Sequence, residues 1–456
     1  MRRGFQICFV AALAAQTARA QAEVPPSAQL PPVLSLDEAL RIFHRQGLDL
    51  LIADAATQNA EGAVQIAGAV ANPNVAFSAG FAPGWSKNKS SHDDCNASGA
   101  DCVPWGFSFN INDQNALEDL WSGKRGLRLK VARNALAAAK MSRADAERTL
   151  ALAVKTAYVQ VAQALLAWEF AEEVAASNGK TLTKFQARYD KGAINEGDLQ
   201  RIETQKLESD QALDSAFAQL RSARVTLAFL LGVRGRVPEF EIDRKVLDFS
   251  VPAALRDASE PELLRAAFDH RPDLIALGYS RASAGAQLDL VRRQRFPDVA
   301  FGINYQWGGS AGWSVNGSVY APFLMFQVSS NLPVFYQLQG EQRQAEAQLS
   351  TNRLQQAKAT AQVASDVAGG WAGFVAARKL VERMEGPRRP GGGLLQSAKG
   401  AFDITAYQYD KGAVSLTDYL DALRTYVATK AEYFNDLSSY WTAVFQLEAA
   451  VATELR

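Results

Sequence analysis

Few residues in this chain could carry out chemistry. Its 456 residues include three His and three Cys, too few soft ligands for a multi-metal enzyme or an iron–sulfur protein. No His-Glu-x-x-His, Gly-x-Ser-x-Gly, P-loop or Cys-x-x-Cys pattern occurs. Asp418 and Asp421 are spaced three apart, so a helix would place both carboxylates on one face. Such a pair is either a solvated surface or, held close to like charges in a narrow space, a cation-attracting site. Cys95 and Cys102 flank a short segment of Asn, Ala, Ser, Gly and Asp. In an exported protein this reads as a disulfide closing a small loop. The run His92-Asp93-Asp94-Cys95 leaves a metal nest as the other reading.

Export itself is written at the N-terminus. Arg2 and Arg3, the apolar stretch from Phe5 to Ala15, and Ala18-Arg19-Ala20 form a signal peptide over residues 1–20. Cys8 lies inside the apolar stretch without the small residues of a lipoprotein cleavage box, so no lipid anchor is expected. Lys+Arg and Asp+Glu both number 48, which gives no basic excess for a nucleic-acid partner. With 48 % hydrophobic and 21 % charged residues the chain is not globally disordered. No run of apolar residues long enough for a transmembrane helix follows the leader.

The elements that must position the acidic pair come in duplicate. Tyr189-Asp190-Lys191-Gly192-Ala193-Ile194 recurs as Tyr409-Asp410-Lys411-Gly412-Ala413-Val414, and Asp198 recurs as Asp418 at the same offset. Pro73-Asn74-Val75-Ala76-Phe77 likewise matches Pro297-Asp298-Val299-Ala300-Phe301. Two repeats follow, 21–231 and 259–456, joined by a linker over 232–258 that contains Pro238 and Pro252. Each repeat reads as a helix (roughly 36–70 and 259–294), two strands, a very long helix, a Tyr-Asp-Lys-Gly turn and another long helix. Lys124 to Tyr189 holds no Pro and would span roughly 100 Å as one helix, which argues for a coiled coil or helical barrel. The segment from Gly386 to Gly393 breaks the long helix of the second repeat. Leu420, Leu423, Val427, Phe434, Leu437, Trp441 and Val444 mark the apolar seam beyond the second turn.

Four strands alternate. Val75, Phe77, Ala79 and Phe81 oppose Asn74, Ala76, Ser78 and Gly80, and Trp105, Phe107, Phe109 and Ile111 oppose Gly106, Ser108, Asn110 and Asn112. Val299, Phe301, Ile303, Tyr305 and Trp307 oppose Ala300, Gly302, Asn304 and Gln306, while Leu324, Phe326, Val328 and Leu332 oppose Gln327, Ser329 and Asn331. Large apolar residues on one face and small polar ones on the other suit an outer-membrane barrel strand, and a half-buried soluble sheet gives the same alternation. Four strands cannot close a barrel, so the chain would have to share one with copies of itself.

The duplicated order, the turn in both halves and Leu416-Thr417-Asp418-Tyr419-Leu420-Asp421-Ala422 resemble the TolC-type outer-membrane efflux factors over nearly the whole mature chain. Leu120-Trp121-Ser122-Gly123-Lys124-Arg125, and Leu332-Pro333-Val334-Phe335 with Gln339-Gly340-Glu341, resemble the cobalt–zinc–cadmium (CzcC-like) branch. There Leu338 stands where that branch has Asn. The resemblance implies a mixed α and β fold. Long helices would form a periplasmic helical barrel, and four strands would join a twelve-stranded trimeric outer-membrane β-barrel. It implies a passive exit duct, located in the outer membrane and extending into the periplasm, without catalytic residues, cofactor or metal. Its partners would be two further copies, outer-membrane lipid, a periplasmic adaptor and an inner-membrane pump, for which the resistance–nodulation–division type is one candidate. Heavy-metal cations, drugs or secreted proteins could be the cargo. A soluble periplasmic coiled-coil scaffold is the rival reading.

By the same resemblance, Asp418 and Asp421 line the closed entrance as a channel gate, and Asp198 and Tyr409 interlock the two hairpins. Gly192 and Gly412 mark the tips where an adaptor docks, with a positive φ expected at both. The family's gate-holding Arg is replaced by Val414.

Overall fold

The computed structural model describes residues 25–81, 105–308, 323–386 and 392–455. The signal peptide, Cys95, Cys102, and residues 387–391 of the expected helix break lie outside the described residues. The elements in chain order are β1 (Val33–Leu34), α1 (Leu36–Gln46), α2 (Leu48–Gly68), β2 (Asn74–Phe81), β3 (Trp105–Asn112), α3 (Ala116–Trp121), α4 (Lys124–Tyr189) and α5 (Glu196–Leu230). After these come β4 (Glu241–Ile242), α6 (Ala253–Arg256), α7 (Glu260–His270), α8 (Pro272–Gln294), β5 (Val299–Gly308), β6 (Phe323–Ser330), α9 (Gln339–Glu385), α10 (Leu394–Asp410) and α11 (Leu416–Val451).

The proline-free stretch is one 66-residue helix, α4, and it is the spine of the molecule. Helices α2, α5, α8 and α11 all pack along it. An 18-residue window of α4 is apolar enough by composition to cross a membrane. Val154, Ala157, Tyr158, Val161 and Leu165 of this helix are instead buried in the main core, against Leu437, Trp441 and Val444 of α11. The seam read along α11 is buried except for Val427, which is partly exposed.

Two expected single helices are pairs. The first breaks at Gly47, whose extended backbone (φ −61°, ψ 115°) separates α1 from α2. A Cβ there would lie 2.6 Å from the Phe43 ring. The second breaks at Arg271, which precedes Pro272 and is held out of the helical region (φ −66°, ψ 118°). Arg271 is buried and ties together three helices of the second repeat. It bonds Asp273 at 2.7 Å and Asp366 of α9 at 2.9 Å, and donates to the Ala450 carbonyl near the end of α11.

Residues 232–258 pack into the core. β4 pairs in parallel with β1, and Phe240, Ile242, Val246, Leu247 and Leu255 are buried. The fully buried Tyr158 hydroxyl donates to the Leu34 carbonyl at 2.8 Å and accepts from the Asp243 N–H at 3.1 Å. One α4 side chain thereby clamps both short strands.

The other four strands form one antiparallel sheet in the order β2-β3-β5-β6, so the repeats meet between β3 and β5. Asp113, just after β3, accepts the Phe301 N–H at 2.7 Å. Lys124, at the start of α4, is buried between Glu118 (2.9 Å) and Asp298, and also donates to the Phe296 carbonyl at 2.8 Å. Gly123 turns the chain with φ +77°, and Arg125 caps the end of α2 by donating to the Gly68 carbonyl from two nitrogens, at 2.9 and 2.6 Å. The Gly-Lys-Arg step thus welds sheet to helices. β6 ends at Ser330, which leaves Leu332 beyond the strand, and Met325 lies on the face expected to be polar.

Candidate functional site

The hairpin tips are built alike. At the first, the Ala193 N–H reaches the Arg188 carbonyl (2.9 Å) and the Gly192 N–H the Tyr189 carbonyl (2.8 Å). At the second, Ala413 reaches Gln408 and Gly412 reaches Tyr409, both at 2.9 Å. These paired bonds close an α-helix around a left-handed residue, a position that favours glycine. Gly192 and Gly412 have φ of +69° and +74°, as expected.

The next helix begins four residues after each glycine, and each repeated Asp has a local task there. Asn195 caps α5, its Oδ1 accepting the Asp198 N–H at 2.8 Å while its Nδ2 donates to Asp198 at 3.0 Å. Ser415 caps α11. Its Oγ accepts the Asp418 N–H at 3.2 Å, and the Asp418 carboxylate accepts the Ser415 N–H (3.1 Å) and hydroxyl (2.7 Å). This reciprocal capping box satisfies amides left open at the start of the helix. The Ser415 hydroxyl and N–H hold the Asp418 carboxyl below its ordinary pKa. Asp421 sits about one turn along, exposed like Asp418. Sequence reasoning missed Asn195 and Ser415, although Asn-x-x-Asp and Ser-x-x-Asp are visible capping patterns.

A small apolar core joins the two tips. Phe185 of α4, Leu199 and Ile202 of α5, and Leu416 and Leu420 of α11 are buried together, with Tyr409 and Tyr419 packed on them. Phe185 lies flat on Tyr409, with ring centres 5.9 Å apart and planes within 5°, and Tyr409 stacks on Tyr419 at 5.3 Å. Burial raises the Tyr409 pKa, the neighbouring Asp198 charge adds to this, and a hydrogen bond from Arg188 opposes it. The chain therefore brings Asp198 and Tyr409 together and adds Arg188, which sequence reasoning passed over.

At the other end of the molecule the sheet presents two unlike faces. Register places Val75, Ile111, Ile303 and Phe326 in one row, and Phe77, Phe109, Tyr305 and Leu324 in the next. All eight side chains are exposed, and Phe107 stacks on both Phe77 (6.0 Å) and Trp307 (5.6 Å). The opposite face carries Asn, Ser, Gln, Gly and Ala, and register places Met325 and Phe323 of β6 among them. Eight-residue strands rise about 26 Å, close to the apolar band of an outer-membrane barrel. Among the described residues, no group of three or more His, Cys, Asp or Glu side chains is arranged to hold a metal ion.

Comparison with known proteins agrees with this geometry. The profile of the outer membrane efflux protein family matches residues 45–233 and 263–453. The chain belongs to this family: it is an outer-membrane efflux duct of the TolC-like type, a channel protein seated in the outer membrane and extending into the periplasm. A relative, the pyoverdine export outer membrane protein OpmQ of Pseudomonas putida, is 25 % identical over 424 residues, covering 91 % of this chain and 84 % of OpmQ. The fold is shared with CusC (TM-score 0.71, 16 % identity, 96 % of this chain and 98 % of CusC). It is shared also with the outer membrane protein VceC of Vibrio cholerae (TM-score 0.68, 18 % identity, 92 % of this chain and 97 % of VceC).

Proposed function

We propose that three copies of this chain close one twelve-stranded barrel and one helical barrel, forming the passive exit duct of a tripartite efflux system. One observation carries the reading. Within the described strands β2 and β6 each pair on one side only, in a sheet whose aromatic face suits lipid. An open strand edge in hydrocarbon leaves backbone groups unsatisfied at several kcal/mol each, so neighbouring copies would complete the ladder. Repeats 21–231 and 259–456, joined through 232–258, would give the barrel its sixfold pseudo-symmetry.

The tips formed around Gly192 and Gly412 would face the periplasm and dock an adaptor, which couples the duct to an inner-membrane pump. Asp418 and Asp421 would ring the resting entrance, and Asp198 with Tyr409 would keep the hairpins together. OpmQ exports pyoverdine by its name, and a polar organic solute of that kind fits this duct as well as a metal cation does.

Mass measurement of the purified protein in detergent tests the assembly. Three chains per particle is the expected result; a monomer that retains its strand content would overturn the reading.

A further inference from the structure

The polar face of the sheet has an order of its own. At the helix end, register aligns Asn74, Asn112, Gly302 and Gln327 in one row. The next row is Ala76, Asn110, Asn304 and Met325, and the one after it Ser78, Ser108, Gln306 and Phe323. At the loop end Gly80, Gly106 and Gly308 lie side by side. Amide side chains thus crowd the helix end, and on β2, β3 and β5 the face ends in glycine about 20 Å further along.

No Asp, Glu, Lys, Arg or His occupies this face of the four described strands. Among the described residues, three carboxylates at the helix end of the sheet are already engaged. Glu118 and Asp298 bind Lys124, and Asp113 accepts the Phe301 N–H. Ser78 and Ser108 meet across the strands at 2.8 Å. The lining of these strands therefore offers both hydrogen-bond donors and acceptors and no charged side chain.

We propose that this face forms an uncharged amide collar in the barrel lumen. Polar organic solutes, neutral or of mixed charge, exchange hydrogen bonds with it as they leave, and the barrel does not select on charge. Charge discrimination rests on the carboxylates of the hairpin tips. This inference rests on the duct reading above. Rings of charged side chains are what make a pore selective for one sign of ion, and this lining has none.

Reversal potentials across a KCl gradient in planar bilayers test it. Register puts Asn110 opposite Asn304, so Asn110→Asp and Asn304→Asp each add carboxylates at one level of the lumen. Each should raise the cation-to-anion permeability ratio at least about threefold. Asn110→Gln, which keeps the amide, should leave the ratio unchanged. Conducting channels whose ratio moves with neither Asp variant would show that these residues do not line the path, and would overturn the proposal. Should Asn110→Asp fail to insert, Asn304→Asp on the neighbouring strand decides alone.

The Asp418→Asn/Asp421→Asn variant then tests the division of labour. Its ratio should fall towards that of free KCl; strong selectivity retained there would overturn the neutral barrel. Failure of the duct reading looks different, because the unmodified protein would then give no channels.

Discussion

The carboxylate of Asp418 accepts hydrogen bonds from both the N–H and the hydroxyl of Ser415, at 3.1 and 2.7 Å, and returns its own N–H to the Ser415 oxygen at 3.2 Å. An acidic residue expected at the channel entrance is therefore also the residue that starts α11. The two roles are compatible, since a carboxylate has more acceptor sites than the capping box uses. Removing the cap without touching the acid separates them. Ser415→Ala should cost about 1 kcal/mol of local stability and speed hydrogen exchange of the first amides of α11. Asp418 has a lowered pKa, so its contribution is complete above the ordinary carboxylate range near about 4 and fades as pH falls through its folded value. Protection of the tip amides, taken relative to the intrinsic exchange rate at each pH, should fall in acid for the unmodified protein. In Ser415→Ala that fall should be smaller.

Phe185 and Tyr409 form the aromatic bridge between the hairpins nearest their tips, stacked at 5.9 Å. Their coupling, read from a cycle of Phe185→Ala, Tyr409→Ala and the double variant, should be about 1 kcal/mol. Additive effects would mean that the hairpins are held together elsewhere.

Arg271 joins α8, α9 and α11 from a buried position. Arg271→Ala leaves Asp273 and Asp366 without their cation and should cost about 3–5 kcal/mol. Lys cannot reproduce its forked geometry, so Arg271→Lys should recover only part of the loss in thermal unfolding.

Leu338 starts α9 in the left-handed region, φ +59° and ψ +31°. Branched apolar side chains resist that region, while Asn tolerates it. Leu338→Asn should stabilise the protein by about 1 kcal/mol, seen as a raised unfolding temperature. The departure from the related branch noted in the sequence thus falls on a residue under backbone strain.

Much of this architecture was legible because its signals are periodic. Phe77, Phe109, Tyr305 and Phe326 follow period two, and the register confirms the shared face. The length of α4 followed from the lack of Pro, and both tips from repeated Gly. Other features depend on contacts that a linear reading does not contain. Gly47 was not read as a break because a lone Gly inside a helical pattern is ambiguous; its extended turn is set by packing on Phe43. The segment around β4 looked like a linker because Pro238 and Pro252 are local, whereas its pairing with β1 and its clamp at Tyr158 span the chain. The cluster of Phe185, Arg188, Asp198 and Tyr409 was half seen. Asp198 and Tyr409 came from family resemblance, while Phe185 and Arg188 lie close to the end of α4 with no motif to mark them.

The claim that the tips form the resting entrance of an outer-membrane duct is tested most directly by divalent block in planar bilayers. Asp418 and Asp421 are exposed, and Asp421 makes no part of the Ser415 cap. Asp421→Ala alone therefore removes charge while leaving the capping box intact, and Ala favours the helix. We expect single-channel current through the unmodified protein to be blocked by divalent cations, the block to weaken in Asp421→Ala, and to vanish in Asp418→Ala/Asp421→Ala together with most of the cation selectivity. Block and selectivity that survive unchanged in the double variant would contradict the account and leave both residues as parts of a solvated helix start.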